Sequence, residues 1–342
     1  MVCATALLSS SLALSLLHHS TPPSQSFVIS PYSLDTALSV IHDGAGGPTQ
    51  QELTDLLLKG CTPAEVTAHY SSLALSLLAN NVSGVTFKSA NRFYVSESTS
   101  LKKEYEAEVV ANYQVKVEKV NFREKAAVAS QINSFVNDAT EGMIKQVVDS
   151  QSMDPDTMAM FVNAIYFLGK WKFTLSKPYT YTFKGIAGNR TMDFMKREEV
   201  LRVNLDSEFG DALILPYKDE SYKFFFLMPK ETSNINTLRD SLTGKELLDI
   251  LRNAVETEID VGSSNSANFS KISSTPLEVS TIKHFAIIEV TEEGTKAAAA
   301  TVIGMNRVSA AVLRPNPVLI IDRPFLYGIM RNEDILFIGQ YV

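Results

Sequence analysis

Near the start of the chain Leu8, Leu12 and Leu16 recur at every fourth residue. That spacing lines up one face of an α-helix and predicts a helix within Met1 to Leu17. Ser30-Pro31-Tyr32-Ser33 then reads as a helix start. A hydroxyl there accepts from a free amide of the first turn, and proline suits a position whose N–H would have no helical partner. Leu34, Ala37, Leu38 and Ile41 follow at helical spacing until Gly44-Ala45-Gly46-Gly47-Pro48 stops the run, and Glu52 to Leu58 opens another short helix. Val85, Phe87, Ser89, Asn91, Phe93 and Val95 alternate with polar neighbours, the two-residue period of a strand. Val128, Ile132, Phe135, Val136 and Ala139 make one apolar helix face, closed by Gly142.

The second half changes period. Met158 to Phe167 is apolar nearly throughout and rich in strand formers, as a centrally buried strand would be. Ala212 to Leu215, Phe224 to Met228, Ile287 to Val290, Val318 to Ile321 and Ile335 to Ile338 are further short runs bounded by Pro, Gly or charge. Helices first and strands later, without βαβ alternation, predict an α+β fold with a mainly helical N-terminal half. No internal repeat is visible, and the polar stretch Gly262 to Asn268 is expected to be a loop.

Composition narrows the functional classes. The 342 residues leave room for two ordinary domains or one large one, and 45% hydrophobic with 20% charged residues excludes a disordered or fibrous chain. Thirty-one Lys and Arg against 38 Asp and Glu give a net charge of −7 with no long basic cluster. The cationic footprint of a nucleic-acid binder is therefore missing. No run reaches the roughly 18 apolar residues of a membrane span. Cys3 and Cys61 cannot build a disulfide scaffold or a four-thiolate zinc site; they fit a reducing compartment, with one bridge still open to them. Met1 to Leu17 is uncharged and loosely resembles a secretory leader, but it lacks a cationic start and serines dilute its apolar centre, which favours the helix. Three glycosylation triplets, Asn81-Val-Ser83, Asn189-Arg-Thr191 and Asn268-Phe-Ser270, pull weakly toward secretion.

Candidate chemistry is sparse. The five histidines, His18, His19, His42, His69 and His284, form no zinc-helix motif, and neither a nucleophile elbow nor a phosphate-binding loop is present. Gly44 to Gly47 lacks the preceding strand and following lysine of a phosphate cradle and reads as a helix terminator. His18-His19 has no acidic or thiol partner nearby, and Glu292 and Glu293 are sequence neighbours rather than a facing pair. An enzyme is the weaker class. One segment remains: Thr291 to Thr301, rich in small residues, leads from an apolar run into Val302 to Leu313. Alanine content alone favours a helix capped by Thr295, whereas the functional reading is a long exposed loop.

Context decides for the loop, because these residues resemble the serpins. Glu292-Glu293-Gly294-Thr295, followed by Ala297, Ala298, Ala299 and Ala300, is similar to the hinge of inhibitory serpins. Phe161-Val-Asn-Ala-Ile-Tyr-Phe-Leu-Gly-Lys-Trp171 looks like their central strand, ending in the tryptophan where the loop begins to insert. Ile321-Asp-Arg-Pro-Phe-Leu326 and Ile335-Leu-Phe-Ile-Gly339 look like the C-terminal signature. Ser30, Ser33, Asn163 and His284 fall where the family places its shutter, the hydrogen-bonded cluster beneath the main sheet. The blocks run in family order from about Leu12 to Val342.

The resemblance implies a single serpin domain over 1–342 with a large central mixed sheet, further sheets and a reactive loop at about 292–313. It also implies a suicide inhibitor of serine, possibly also cysteine, endopeptidases. The target cleaves the loop, is caught as an acyl-enzyme, and is carried across the molecule as the loop inserts into the sheet, a known case of strand addition and stored-strain release. Small hinge residues can pass between packed strands; alternation leaves Lys296 facing solvent while Thr295 and Ala297 face the core. Family spacing puts the scissile bond at Val308-Ser309, implying an elastase-like target; a loop one residue shorter would use Arg307-Val308 and imply a trypsin-like one. The implied mechanism needs no metal or cofactor. The expected protein is a monomer prone to polymerise, without nucleic-acid or membrane partners, cytoplasmic or alternatively secreted.

One departure stands out. After Val261 the family carries another strand, with a Pro-Lys pair, and a short helix, but here Thr257-Glu-Ile-Asp-Val261 runs into the Ser/Asn stretch. Roughly two dozen residues, enough for one strand and a helix, are missing. The strand holding His284 is then expected to be an unpaired edge, and the lysine that pairs with Glu292 is absent. That departure favours a second reading, a non-inhibitory serpin-fold binding or chaperone protein.

Overall fold

A computed structural model of the chain describes residues 5–20, 24–79, 84–175, 179–264, 282–288 and 318–342. The first leucine pattern folds as helix α1 (Thr5–Ser20). Leu8, Leu12, Ala13, Leu14 and Leu17 are buried on it, so the stretch that resembled a leader is an integral core helix. Strand β1 (Phe27–Ile29) leads into α2 (Pro31–Gly44), whose N-cap is Ser30 as the sequence predicts. The glycine run that ends α2 is immediately reused: Gly47 and Pro48 form the first turn of α3 (Gly47–Leu57), so that helix begins earlier than Glu52. Helix α4 (Pro63–Ala79) is an element the sequence reading missed, although Val66, Tyr70, Leu73 and Leu77, all buried, stand at helical spacing.

Strand β2 (Val85–Ser96), helix α5 (Lys103–Tyr113) and strand β3 (Lys116–Val120) correct one expectation. β2 and β3 pair in parallel across α5, a βαβ unit in a chain read as having none. The amphipathic run near Ile132 is α6 (Lys125–Ala139), and the apolar run after Met158 is β4 (Ala159–Gly169). Next come β5 (Tyr179–Gly185), β6 (Gly188–Asn204), β7 (Gly210–Pro216) and β8 (Tyr222–Pro229). Helices α7 (Ile235–Ser241) and α8 (Gly244–Arg252) precede β9 (Val255–Ser264), β10 (Ile282–Ile288), β11 (Val318–Ile321), β12 (Phe325–Arg331) and β13 (Asp334–Tyr341). Gly262, Ser263 and Ser264, expected in a loop, extend β9 because the long β6 offers Lys196, Met195 and Phe194 as backbone partners. Ladder hydrogen bonds do not depend on side-chain polarity. Residues 265–268 lie outside the described residues.

The strands form two sheets. A four-stranded sheet has the order β10-β4-β2-β3; a nine-stranded one runs β1-β13-β12-β8-β7-β6-β9-β11 with β5 on β6. Alternation along β4 divides the core. Met160, Val162 and Ala164 pack with Val128, Ile132 and Val136 of α6. Phe161, Ile165 and Phe167 join a core with Tyr32, Ala37 and Val40 of α2 and the larger sheet. Helices α1, α7 and α8 cover the other side of the larger sheet. Among the described residues β10 pairs with β4 alone and ends its sheet. Cys61 is disulfide-bonded, the state that the sequence leaves open beside reduced thiols; the one other cysteine, Cys3, lies outside the described residues.

Candidate functional site

The site is the junction of β4 with β10 and the polar cluster beneath it. Asn163, in the middle of β4, is fully buried and in register with Asn91 on β2 and His284 on β10. Three polar residues thus form one row across three strands. Asn163 donates its side-chain N–H to the Asn91 side-chain carbonyl. The Asn163 Oδ1 atom is buried without a donor among the described residues, a position that costs the desolvation of a carbonyl until a partner reaches it. Asn163 shares the β4 face of Phe161 and Ile165, which lies against α2.

Helix α2 supports that face from below. Ser30 and Ser33 are both buried, and the Ser30 hydroxyl oxygen accepts from the Ser33 N–H at 3.2 Å, fixing the helix start where the sequence placed it. Burial pushes the Tyr32 phenol up to about 12, with bonds to Ser89 and Thr36 acting in the opposite direction, so this hydroxyl remains a donor at ordinary pH. Asn91 and Ser89 were readable but unread. They are polar residues standing at inward positions of the β2 alternation, where the period calls for apolar side chains.

Trp171 seals the end of the sheet. It bridges to Tyr217, and the two rings stack with centroids 4.5 Å apart at 11°, while Phe224 meets the indole edge-on at 6.0 Å. Gly169 permits this approach, since a Cβ there would stand 2.5 Å from the Tyr217 ring. β10 runs parallel to β4 from Ile282 opposite Phe161 to Ile288 opposite Phe167, so it delivers the chain to the Trp171 end.

This geometry has a topological consequence. A chain that leaves β10 at Ile288 and turns back runs antiparallel to β10, and therefore also to β4. Entering between them, it would replace one parallel pairing by two antiparallel ones, which are slightly more stable per residue. The sheet as described is closed, with β4 and β10 bonded directly. Glu292, Glu293, Gly294, Thr295, Ala297 to Ala300, Arg307, Val308 and Ser309 lie outside the described residues.

Other polar groups read as scaffold. His42 places Nε2 3.1 Å from the Thr54 hydroxyl and Nδ1 3.2 Å from Asp43, distances a nucleophile–base–acid set would need. Yet His42 is buried, and Asp43 also accepts from the Tyr113 hydroxyl at 2.8 Å, so the network ties α2 to α3 and α5. Among the described residues no group of three or more His, Cys, Asp or Glu is placed to hold a metal ion, and no helix is long and apolar enough to cross a membrane.

Comparison with known proteins agrees with the geometry. The sequence model of the family described as "Serpin (serine protease inhibitor)" matches residues 8–263 and 260–342, two stretches that meet beside Val261. The chain is 30% identical to "Serine protease inhibitor 42Dd" of Drosophila melanogaster over 93% of this chain and 91% of that protein. It is 27% identical to human "Serpin B8" over 93% of each. Among solved structures, the native state of the thermophilic serpin Tengpin superposes with a TM-score of 0.82 at 23% identity, covering 98% of this chain and 93% of that one.

Proposed function

The chain belongs to the serpin family, and from that premise we propose that it is a suicide inhibitor of serine endopeptidases, with cysteine endopeptidases a further target class. The observation that carries this reading is the closed parallel pair β4–β10, which runs toward the Trp171 end of the sheet. In the proposed cycle the target's nucleophile attacks the Val308 carbonyl. The Val308–Ser309 bond breaks, the Ser309 amine leaves with a proton, and an acyl-enzyme remains. The freed hinge, Glu292 to Ala300, then enters between β4 and β10. Gly294, Thr295 and the alanines present little bulk to the packed strands, and the two new antiparallel ladders drive the step.

In this reading the cluster beneath the sheet is the gate. Asn163, Ser30 and Ser33 hold the closed arrangement, and His284 belongs to the same gate by its register opposite Asn163. Trp171 marks the entry point. The whole of 1–342 acts as one domain with its reactive loop at about 292–313. The partner is a target endopeptidase, elastase-like for cleavage at Val308 and trypsin-like for Arg307; no metal or cofactor enters the cycle. The Cys61 disulfide favours an oxidising compartment, and so secretion over the cytoplasm.

The test is a denaturing gel of the protein incubated with elastase-like and trypsin-like proteases, with the released C-terminal fragment weighed. A band at the summed mass that survives boiling in SDS is expected, and the fragment identifies Val308 or Arg307. Thr295→Arg is expected to leave folding intact and to turn the inhibitor into a cleaved substrate; full trapping by that variant would sink the insertion argument. The outer edge of β10, unpaired among the described residues, favours one second reading, a non-inhibitory binding protein. Cleavage without any covalent complex would establish it.

A further inference from the structure

The triplet Asn189-Arg190-Thr191 has no place in the cycle above, yet its geometry is specific. It begins at the turn of the β5–β6 hairpin, where Gly185 pairs with Gly188 and Lys184 with Asn189. Alternation along β6 splits the triplet between two faces. Arg190, though exposed, lies on the opposite face: its guanidinium is 4.9 Å from the Phe183 ring and 5.0 Å from the Tyr341 ring, and it donates to the Val342 carbonyl at 2.6 Å. Phe183 is fully buried, so this anchor fixes the strand's rotation.

With Arg190 held over the Phe183 and Tyr341 rings, Asn189 and Thr191 stand two residues apart on the other face, and both are exposed. The residues opposite them on that face, Lys184 and Thr182, are exposed as well. No hydrogen bond of the Asn189 side chain is formed among the described residues, so a substituent on its amide nitrogen displaces nothing. Independently, the disulfide at Cys61 is the mark of a compartment that oxidises thiols. In a eukaryotic cell that compartment also holds the glycosyl-transfer machinery that reads Asn-x-Thr.

We propose that Asn189 is an N-glycosylation site. Its Nδ2 attacks the anomeric carbon of a lipid-diphosphate-linked oligosaccharide. The C–N bond forms, the bond from that carbon to the diphosphate oxygen breaks, the lipid diphosphate leaves, and the amide gives up one proton. This inference rests on the oxidising compartment of the reading above but not on protease trapping.

Peptide mapping of the protein isolated from its source organism tests it, with and without a peptide-N-glycosidase, which converts a glycosylated asparagine to aspartate. The peptide holding position 189 is expected only after treatment, with aspartate there; its recovery untreated as plain asparagine overturns the proposal. When the full chain is produced in cells of that organism, Asn189→Gln is expected to lose one glycosidase-sensitive mobility step, and Thr191→Ser to keep it. Equal mobility steps in the wild type and Asn189→Gln also overturn it. Alkylation of Cys61 in the same samples separates the two ideas. Oxidised Cys61 with unmodified Asn189 refutes the site alone, whereas free Cys61 refutes the compartment too.

Discussion

Asp35 lies in α2 two residues beyond Ser33, almost wholly enclosed, with its carboxylate accepting from the Tyr70 hydroxyl at 2.6 Å. Burial dominates and pushes its carboxyl up to about 7; the Tyr70 bond and His69 pull it down, and Asp334 pushes it further up. His69 and Asp334 themselves meet at 2.9 Å, so α2, α4 and β13 share one buried titratable group of residues. Between the ordinary carboxyl range and about 7 the folded chain holds a proton that the unfolded chain has released. Stability therefore falls as pH rises through that interval and levels off above it. Asp35→Asn is expected to flatten this fall and to raise the melting temperature above about pH 7, by a free energy on the order of a few kcal/mol; melting curves of both proteins across that range decide. At the sheet junction, Asn163→Ala removes the donor to Asn91 and is expected to cost about 1–3 kcal/mol in denaturant unfolding.

At the scale of elements, α1 matters more than its polar-diluted sequence suggests. Gly244 at the start of α8 lets the two helices touch, since a Cβ there would lie 2.5 Å from the Ser11 amide nitrogen. Arg239 of α7, buried and bonded to no carboxylate among the described residues, donates to the Leu17 carbonyl and, at 2.9 Å, to the Gln340 side chain of β13. Leu17 is fully buried in this assembly. Leu17→Ala is expected to destabilise the protein by about 2–5 kcal/mol, the usual cost of a core leucine; a denaturant midpoint that does not move would contradict α1 as a core helix. α8 begins with a full capping box, Thr243 accepting from the Glu246 N–H and Glu246 accepting from the Thr243 N–H. Thr243→Ala is expected to cost ~1 kcal/mol by the same measurement.

For the whole molecule, the four-stranded sheet is the element that the proposed function must change. Inserting a strand between β4 and β10 adds ladder hydrogen bonds and buries alternate small side chains. Cleavage in the reactive loop is therefore expected to raise the melting temperature by tens of degrees, measured by comparing intact and nicked protein. An unchanged midpoint would point to the non-inhibitory reading. The outer edge of β10, unpaired among the described residues, invites pairing with another chain. Light scattering on gentle heating is expected to show assemblies before loss of secondary structure.

Much of this was written in the chain itself. The Ser30-Pro31 helix start, the alternation of β2 and the apolar run of β4 follow from local sterics and periodicity. Asn163 and His284, which the family motifs name, stand in register on β4 and β10, while Trp171 lies just beyond β4 in an isolated bridge to Tyr217. Local pattern failed where partners distant in sequence decide. Leu34, Leu38 and Ile41 look like the buried face of α2, yet they are only half-buried while Asp35, Thr36 and Ser39 are buried, because the helix is enclosed on several sides. Gly262 to Ser264 read as loop until β6 supplied their backbone partners. The parallel pairing of β2 with β3 and of β4 with β10 depends on crossovers that no window of residues records. Sequence by itself determined the strongly periodic segments, such as α2, β2 and β4. Only the tertiary structure decided that β10 lies directly against β4, because strand order is fixed by how whole faces are buried rather than by the period of any one strand.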